Sequence, residues 1–116
     1  MATFGNRGYV PSTSPAKSIA ASATGTKLFS TNTPGRQGFV ASNGTCTSGI
    51  LYFVMVPAGA TAPTLNDVTS SLVIVIDHID VASGKYEADG GVGSDYDIYC
   101  ITSTGSAYTM PASEVF

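Results

Sequence analysis

The stretch Ile50-Leu51-Tyr52-Phe53-Val54-Met55-Val56 is apolar at seven consecutive positions. An amphipathic helix interrupts such a run every third or fourth residue, and a half-exposed strand alternates. Its β-branched and aromatic residues favour extended backbone. The run therefore predicts a central β-strand buried on both faces. The stretch that follows, Pro57-Ala-Gly-Ala-Thr-Ala-Pro63, cannot continue it.

Outward from this strand the chain is a succession of short β runs separated by turn formers. Upstream lie a weakly patterned Ser18–Ala23, Lys27–Thr31, the turn Asn32-Thr-Pro-Gly35, the run Arg36–Ser42 and the tight-turn pair Asn43-Gly44. Downstream, Asn66–Ser70 is polar and reads as one helical turn. Leu72-Val-Ile-Val-Ile76 reads as a second strand core running on to Ile79. Ser83-Gly84 turns, Lys85–Ala88 alternates, and Asp89-Gly-Gly-Val-Gly-Ser94 is a glycine-rich turn. Tyr96–Thr102 alternates, with Tyr96, Ile98 and Cys100 on one face and Asp97, Tyr99 and Ile101 on the other. After a turn at Thr104-Gly105-Ser106, Ala107–Met110 forms a last short strand before Glu114-Val115-Phe116. The expectation is an all-β fold of seven or eight strands, either an antiparallel β-sandwich or a jelly-roll-like small barrel. Residues 1–16, with Phe4, Arg7, Tyr9 and Val10 scattered among glycines and prolines, read as an extended N-terminal arm. Residues 17–116 read as a single domain.

Composition narrows the function. Of the 116 residues, 11% are charged, less than half the usual share of about 25%. Ser and Thr number 28 and Gly 13, while 43% of residues are apolar. A chain this neutral yet this apolar folds, and it lacks the charged surface of an ordinary soluble monomer. It reads as a part that assembles rather than as an enzyme. The net charge of −3 is unevenly spread: Arg7, Lys17, Lys27 and Arg36 occupy residues 1–36 without an acid, and all eight acids fall in residues 67–116 beside Lys85. A basic start and an acidic end suit contact between copies. Basic runs interleaved with aromatics, the signature of nucleic-acid binding, are missing, and no apolar run has membrane-spanning length. The first residues do not resemble a secretion signal, so synthesis in a cytosol is expected. Cys46 and Cys100 lie far apart, make no CxxC pair and read as two buried free thiols, or as a disulfide in an oxidising compartment.

Candidate chemistry is sparse. His78, between Asp77 and Asp80, has the residue types of an oriented general base, yet it also reads as a strand end meeting water. Asp89, Asp95 and Asp97, with Glu87, surround a glycine loop. There Gly90-Gly-Val-Gly-Ser-Asp-Tyr-Asp-Ile98 approaches a calcium-binding nonapeptide and departs from it at Asp97. These three aspartates are the candidate calcium ligands. Asn43-Gly44-Thr45 fits a glycosylation acceptor and reads as a turn. The six tyrosines and five phenylalanines read mostly as core, with a sugar-stacking platform as the alternative.

The middle of the chain resembles small β-rich bacteriophage virion proteins. The residues that carry the likeness are Asn32-Thr-Pro-Gly-Arg36, Gly38-Phe-Val40, Asn43, Ile50-Leu-Tyr-Phe-Val54, the Pro57–Pro63 loop, Ile98-Tyr-Cys-Ile-Thr-Ser-Thr-Gly105 and the closing Glu114-Val-Phe116. The resemblance implies a non-enzymatic virion structural protein without a cofactor, of the head decoration (cement) or fibre type. Its partners would be the major capsid protein and copies of itself, at the capsid surface. Phe4, Arg7, Tyr9 and Val10 are the expected arm contacts. Arg36 is expected to pair with a carboxylate near the loop base or across a subunit boundary. A receptor- or carbohydrate-binding module and a neck or tail component are the alternatives.

Overall fold

The computed structural model describes residues 16–20, 23–30, 35–104 and 107–116. Eight strands follow in chain order: β1 (Ala16–Ile19), β2 (Thr26–Phe29), β3 (Gly38–Ser42), β4 (Ile50–Pro57), β5 (Ile74–Asp80), β6 (Glu87–Gly90), β7 (Tyr96–Thr102) and β8 (Tyr108–Val115). One short helix, α1 (Leu65–Thr69), lies between β4 and β5. The strands form two four-stranded sheets, ordered β1-β8-β3-β6 and β2-β7-β4-β5, with antiparallel pairing throughout. Apart from β4 and β5, every strand is followed by one in the opposite sheet. That strand order is the jelly roll, so the all-β sandwich expected from the sequence is present and its topology is resolved. Strand β1 starts at Ala16, one residue before the expected domain start. Phe4, Arg7, Tyr9 and Val10 lie outside the described residues.

The apolar run in β4 is explained by two burials. Leu51 and Phe53 face the other sheet with Ile98 and Cys100 of β7, meeting Phe39, Ala41, Met110 and Ala112. The Phe39 and Phe53 rings join the two sheets with centroids 5.3 Å apart. On the outer face, Val54 and Val56 pack with Tyr99 and Ile101 beneath Ala60, Ala62, Leu65, Val68 and Val73. The excursion between β4 and β5 is thus a third layer over the β7–β4 pair. Each Val or Ile it seals contributes about 1.5–3 kcal/mol. A capping box fixes α1: the Asp67 N–H donates to Thr64 Oγ1 (3.3 Å), and the Thr64 N–H donates to Asp67 Oδ2 (2.9 Å).

Two sequence expectations are corrected. Leu72–Ile76 is not a buried strand core: the strand starts at Ile74, and Leu72 and Ile74 face solvent, because β5 is the edge of its sheet. The last strand does not stop at Met110 but continues through Pro111 to Val115. Pro111 is tolerated because it sits at a handover. Pairing with β1 ends at Ala16↔Pro111, and pairing with β3 begins at Ala41↔Ala112.

A bulge bends β5. Its register with β4 jumps from Phe53↔Asp77 to Val54↔Val75, leaving Ile76 as the additional residue. Ile76 packs against the core, and a Cβ on Gly90 of β6 would lie 2.2 Å from its Cγ2. Position 90 is therefore glycine because β5 and β6, edges of opposite sheets, close on one another here.

Candidate interaction surface

The C-terminus of α1 sets up the most exposed apolar residue. Ser70 is the C-cap, and Ser71 takes the left-handed conformation with φ 58°. The Ser71 N–H donates to the Val68 carbonyl (3.1 Å) and the Leu72 N–H to the Asp67 carbonyl (2.8 Å). This is a Schellman motif, which normally places glycine in the left-handed position. The apolar residue after it normally packs back on the helix. Here the left-handed residue is serine, and the position Leu72 would pack against is Asp67. Leu72 therefore stays 70% exposed.

Ile74 and Val75 follow, 61% and 37% exposed. Ile74 pairs with Met55 and Val75 with Val54, so the two side chains flank the edge strand on opposite faces. Among the described strands, none pairs with the outer edge of β5. Proteins usually blunt such an edge with charge, proline or a bulge. The bulge at Ile76 protects the second half of β5, and the first half stays open and apolar. No Lys or Arg lies between residues 37 and 84, whereas Asp67, Asp77 and Asp80 do. The edge is therefore apolar at its start and acidic at its end.

Of the titratable residues singled out from sequence, Arg36, Asp77 and Asp97 hold the fold together. The Arg36 side chain is fully buried. Its Nε donates to the Val92 carbonyl (3.2 Å). Its Nη1 donates to the Ser30 carbonyl (3.0 Å) and to Glu114 Oε2 (3.3 Å). Its Nη2 donates to the carbonyls of Gly93 and Tyr96. All five guanidinium donors act within one chain, knotting β2, β8 and the β6–β7 loop.

The candidate calcium set does not converge. Asp97 is buried on the outer face of β7, where Lys27 Nζ approaches it at 3.4 Å and the Gly59 N–H donates to it. Asp89 and Asp95 are exposed elsewhere. Among the described residues no three His, Cys, Asp or Glu side chains gather as a metal site. The period of two explains the separation, since Asp97 and Ile98 must face opposite ways and Ile98 is core.

His78 is exposed, and its neighbour Asp77 is engaged elsewhere. Asp77 Oδ2 accepts from the Asp89 N–H (3.0 Å), Oδ1 accepts from the His78 N–H (2.8 Å), and Lys85 Nζ lies 3.3 Å from Oδ1. Burial pushes the Asp77 carboxyl up. The Asp89 and His78 N–H groups and the Lys85 ammonium outweigh it and leave the carboxyl below its ordinary value. Cys46 and Cys100 are buried free thiols of one core, and burial, reinforced by Cys46, pushes the Cys100 thiol well up. Asn43-Gly44 is a turn closed by the Cys46 N–H on the Asn43 carbonyl (2.9 Å). Tyr86 and Tyr96 are exposed at opposite ends of β3, the Tyr86 carbonyl bonding the Asn43 N–H and the Tyr96 carbonyl the Arg36 side chain, so they form no common stacking platform.

The exposed edge was missed in the sequence because an apolar run announces a strand and not its place in a sheet. One signal was present: Leu72 follows a helix end that offers Asp67 instead of an apolar partner. No family model matches the chain, and no curated protein or solved structure matches it.

Proposed function

We propose that the protein is a non-enzymatic structural subunit of a particle shell, a decoration (cement) protein of the bacteriophage type. In this reading it sits on the outer capsid surface, binds the major capsid protein and its own copies, and stabilises the seams between shell subunits. The observation that carries the reading is the open apolar edge at Leu72, Ile74 and Val75 on a body with few charges. A surface of Ser, Thr, Ala and Gly loses little side-chain entropy when covered, which suits repeated contacts. The charged groups Arg36, Asp77 and Asp97 are committed to holding the jelly roll together. A fold of this kind hosts many functions, so the reading rests on the edge and the composition and not on topology.

The test is the copy number of this chain relative to the major shell protein in purified particles, by quantitative peptide mass spectrometry. A simple ratio of comparable size is expected. A few copies per particle would favour a fibre, neck or tail part, and absence from particles would overturn the proposal.

A further inference from the structure

The open half of β5 invites an added strand, and one segment of this chain has the composition to supply it. We propose that the N-terminal arm of one copy adds to the β5 edge of a second copy, beside Ile74 and Val75, as an antiparallel strand centred on Tyr9 and Val10. This deepens the assembly reading by naming the contact between copies.

Three observations select the occupant. First, adjacent Tyr9 and Val10 would point to opposite faces of an added strand, as Ile74 and Val75 do on β5. Second, charge sets the direction. With Tyr9 and Val10 beside Ile74 and Val75, antiparallel addition carries Arg7 towards Asp77 and Asp80. Parallel addition would bring Pro11 and Pro15 there instead, and proline cannot donate to the ladder. The arm holds no acid, and residues 37–84 hold no Lys or Arg.

Third, reach makes the contact intermolecular. The arm leaves from Ala16 on β1, at the edge of its sheet opposite β6, whereas β5 is on the β6 side of the sandwich. Residues 11–16 span about 20 Å when extended. A path over the surface must cross the three strand spacings from β1 to β6, about 4.8 Å each, and a sandwich about 10 Å thick, plus the side chains outside it. That exceeds about 24 Å, so the six residues from Pro11 to Ala16 are too short to carry a copy's own Tyr9 and Val10 to its own edge. The contact joins two different patches, and repeating it gives rings where the rotation closes and filaments where it does not.

The test uses full-length chains. An arm variant carries Tyr9→Asp and Val10→Asp, and an edge variant carries Leu72→Lys and Ile74→Lys. Sedimentation equilibrium and light scattering read association, and the urea midpoint of each variant checks that it is folded. The wild type is expected to associate with rising concentration, and each folded variant to raise the dissociation constant at least about tenfold. Mixing the two variants restores one good arm against one good edge, so the mixture is expected to form a 1:1 heterodimer. A wild type that stays monomeric, an arm variant that associates like the wild type, or a mixture that stays monomeric would each overturn the inference. These solution results are independent of particle composition, so arm exchange and shell binding stand or fall separately.

Discussion

Asp77 of β5 accepts the backbone N–H of Asp89 of β6 at 3.0 Å, so a side chain from one sheet satisfies a donor on the edge strand of the other. The acidic group thereby closes one side of the sandwich, with Lys85 alongside it. Because its folded pKa lies below the ordinary value near 3.8, the charged form stabilises the fold. That contribution is fully present above the unfolded pKa and is lost as pH falls through the folded one. Asp77→Asn is expected to cost about 1–2 kcal/mol at pH 7. The difference in unfolding free energy from the wild type should stay level from about pH 8 to pH 5 and shrink below about pH 4. Urea titrations across that range check it, and a gap that stays constant to pH 2.5 would contradict the role.

Arg36 is the polar keystone of the β6–β7 loop. Replacing it with Met leaves the carbonyls of Val92, Gly93, Ser30 and Tyr96 without their donor and Glu114 without its cation. The expected loss is about 3–5 kcal/mol. Arg36→Lys should recover only part of it, because an ammonium cannot reproduce the five-donor fork. Urea midpoints at unchanged m-value measure both variants.

The approach of β6 to its neighbours leaves no room at two glycines. A Cβ at Gly38 would meet the Gly90 carbonyl oxygen at 2.2 Å, and one at Gly90 would meet Ile76 Cγ2 at 2.2 Å. The first obstacle is backbone and the second a side-chain methyl. Gly38→Ala should therefore destabilise by about 1–3 kcal/mol with no simple rescue. Gly90→Ala should be partly rescued by Ile76→Ala, and a double-mutant cycle in thermal unfolding should show a coupling of at least about 0.5 kcal/mol.

Ser71 holds a left-handed conformation that a side chain disfavours. Ser71→Gly removes that strain and adds disorder to the unfolded chain, so the expected net gain is about 0.5–1 kcal/mol. A melting temperature raised by a few degrees would register it, and no change would mean the turn is held without strain.

The elements were more legible in the sequence than their arrangement. Ile50–Val56 announced a strand buried twice because both faces needed apolar residues, and the Tyr96–Thr102 alternation placed Ile98 and Cys100 together in the core. The polar stretch at 66–70 read as a helical turn, and α1 is there. The edge position of β5 was not legible, since Leu72–Ile76 looks the same whether a strand is central or marginal. The continuation of β8 past Met110 was not legible, because the handover from β1 to β3 is a property of pairing and not of the local chain. The acidic loop suggested one cation cage, but Asp97 had to face away from Ile98. Arg36 could be named from residue type alone, but its five partners come from three separate stretches of chain, Ser30, Val92 to Tyr96 and Glu114.

Strand β8 lies between β1 and β3, so the first sheet has no middle until residues 108–115 have been made. On a ribosome, β1 and β3 wait with unsatisfied edges while the second sheet can already pair β2, β7, β4 and β5. Closing the first sheet joins residues far apart along the chain, which makes the last step of folding slow and leaves the nascent protein open to wrong strand partners. A producing cell that keeps chaperones at hand, or that holds synthesis slow, should therefore raise the yield of folded chain more than any substitution in the finished surface.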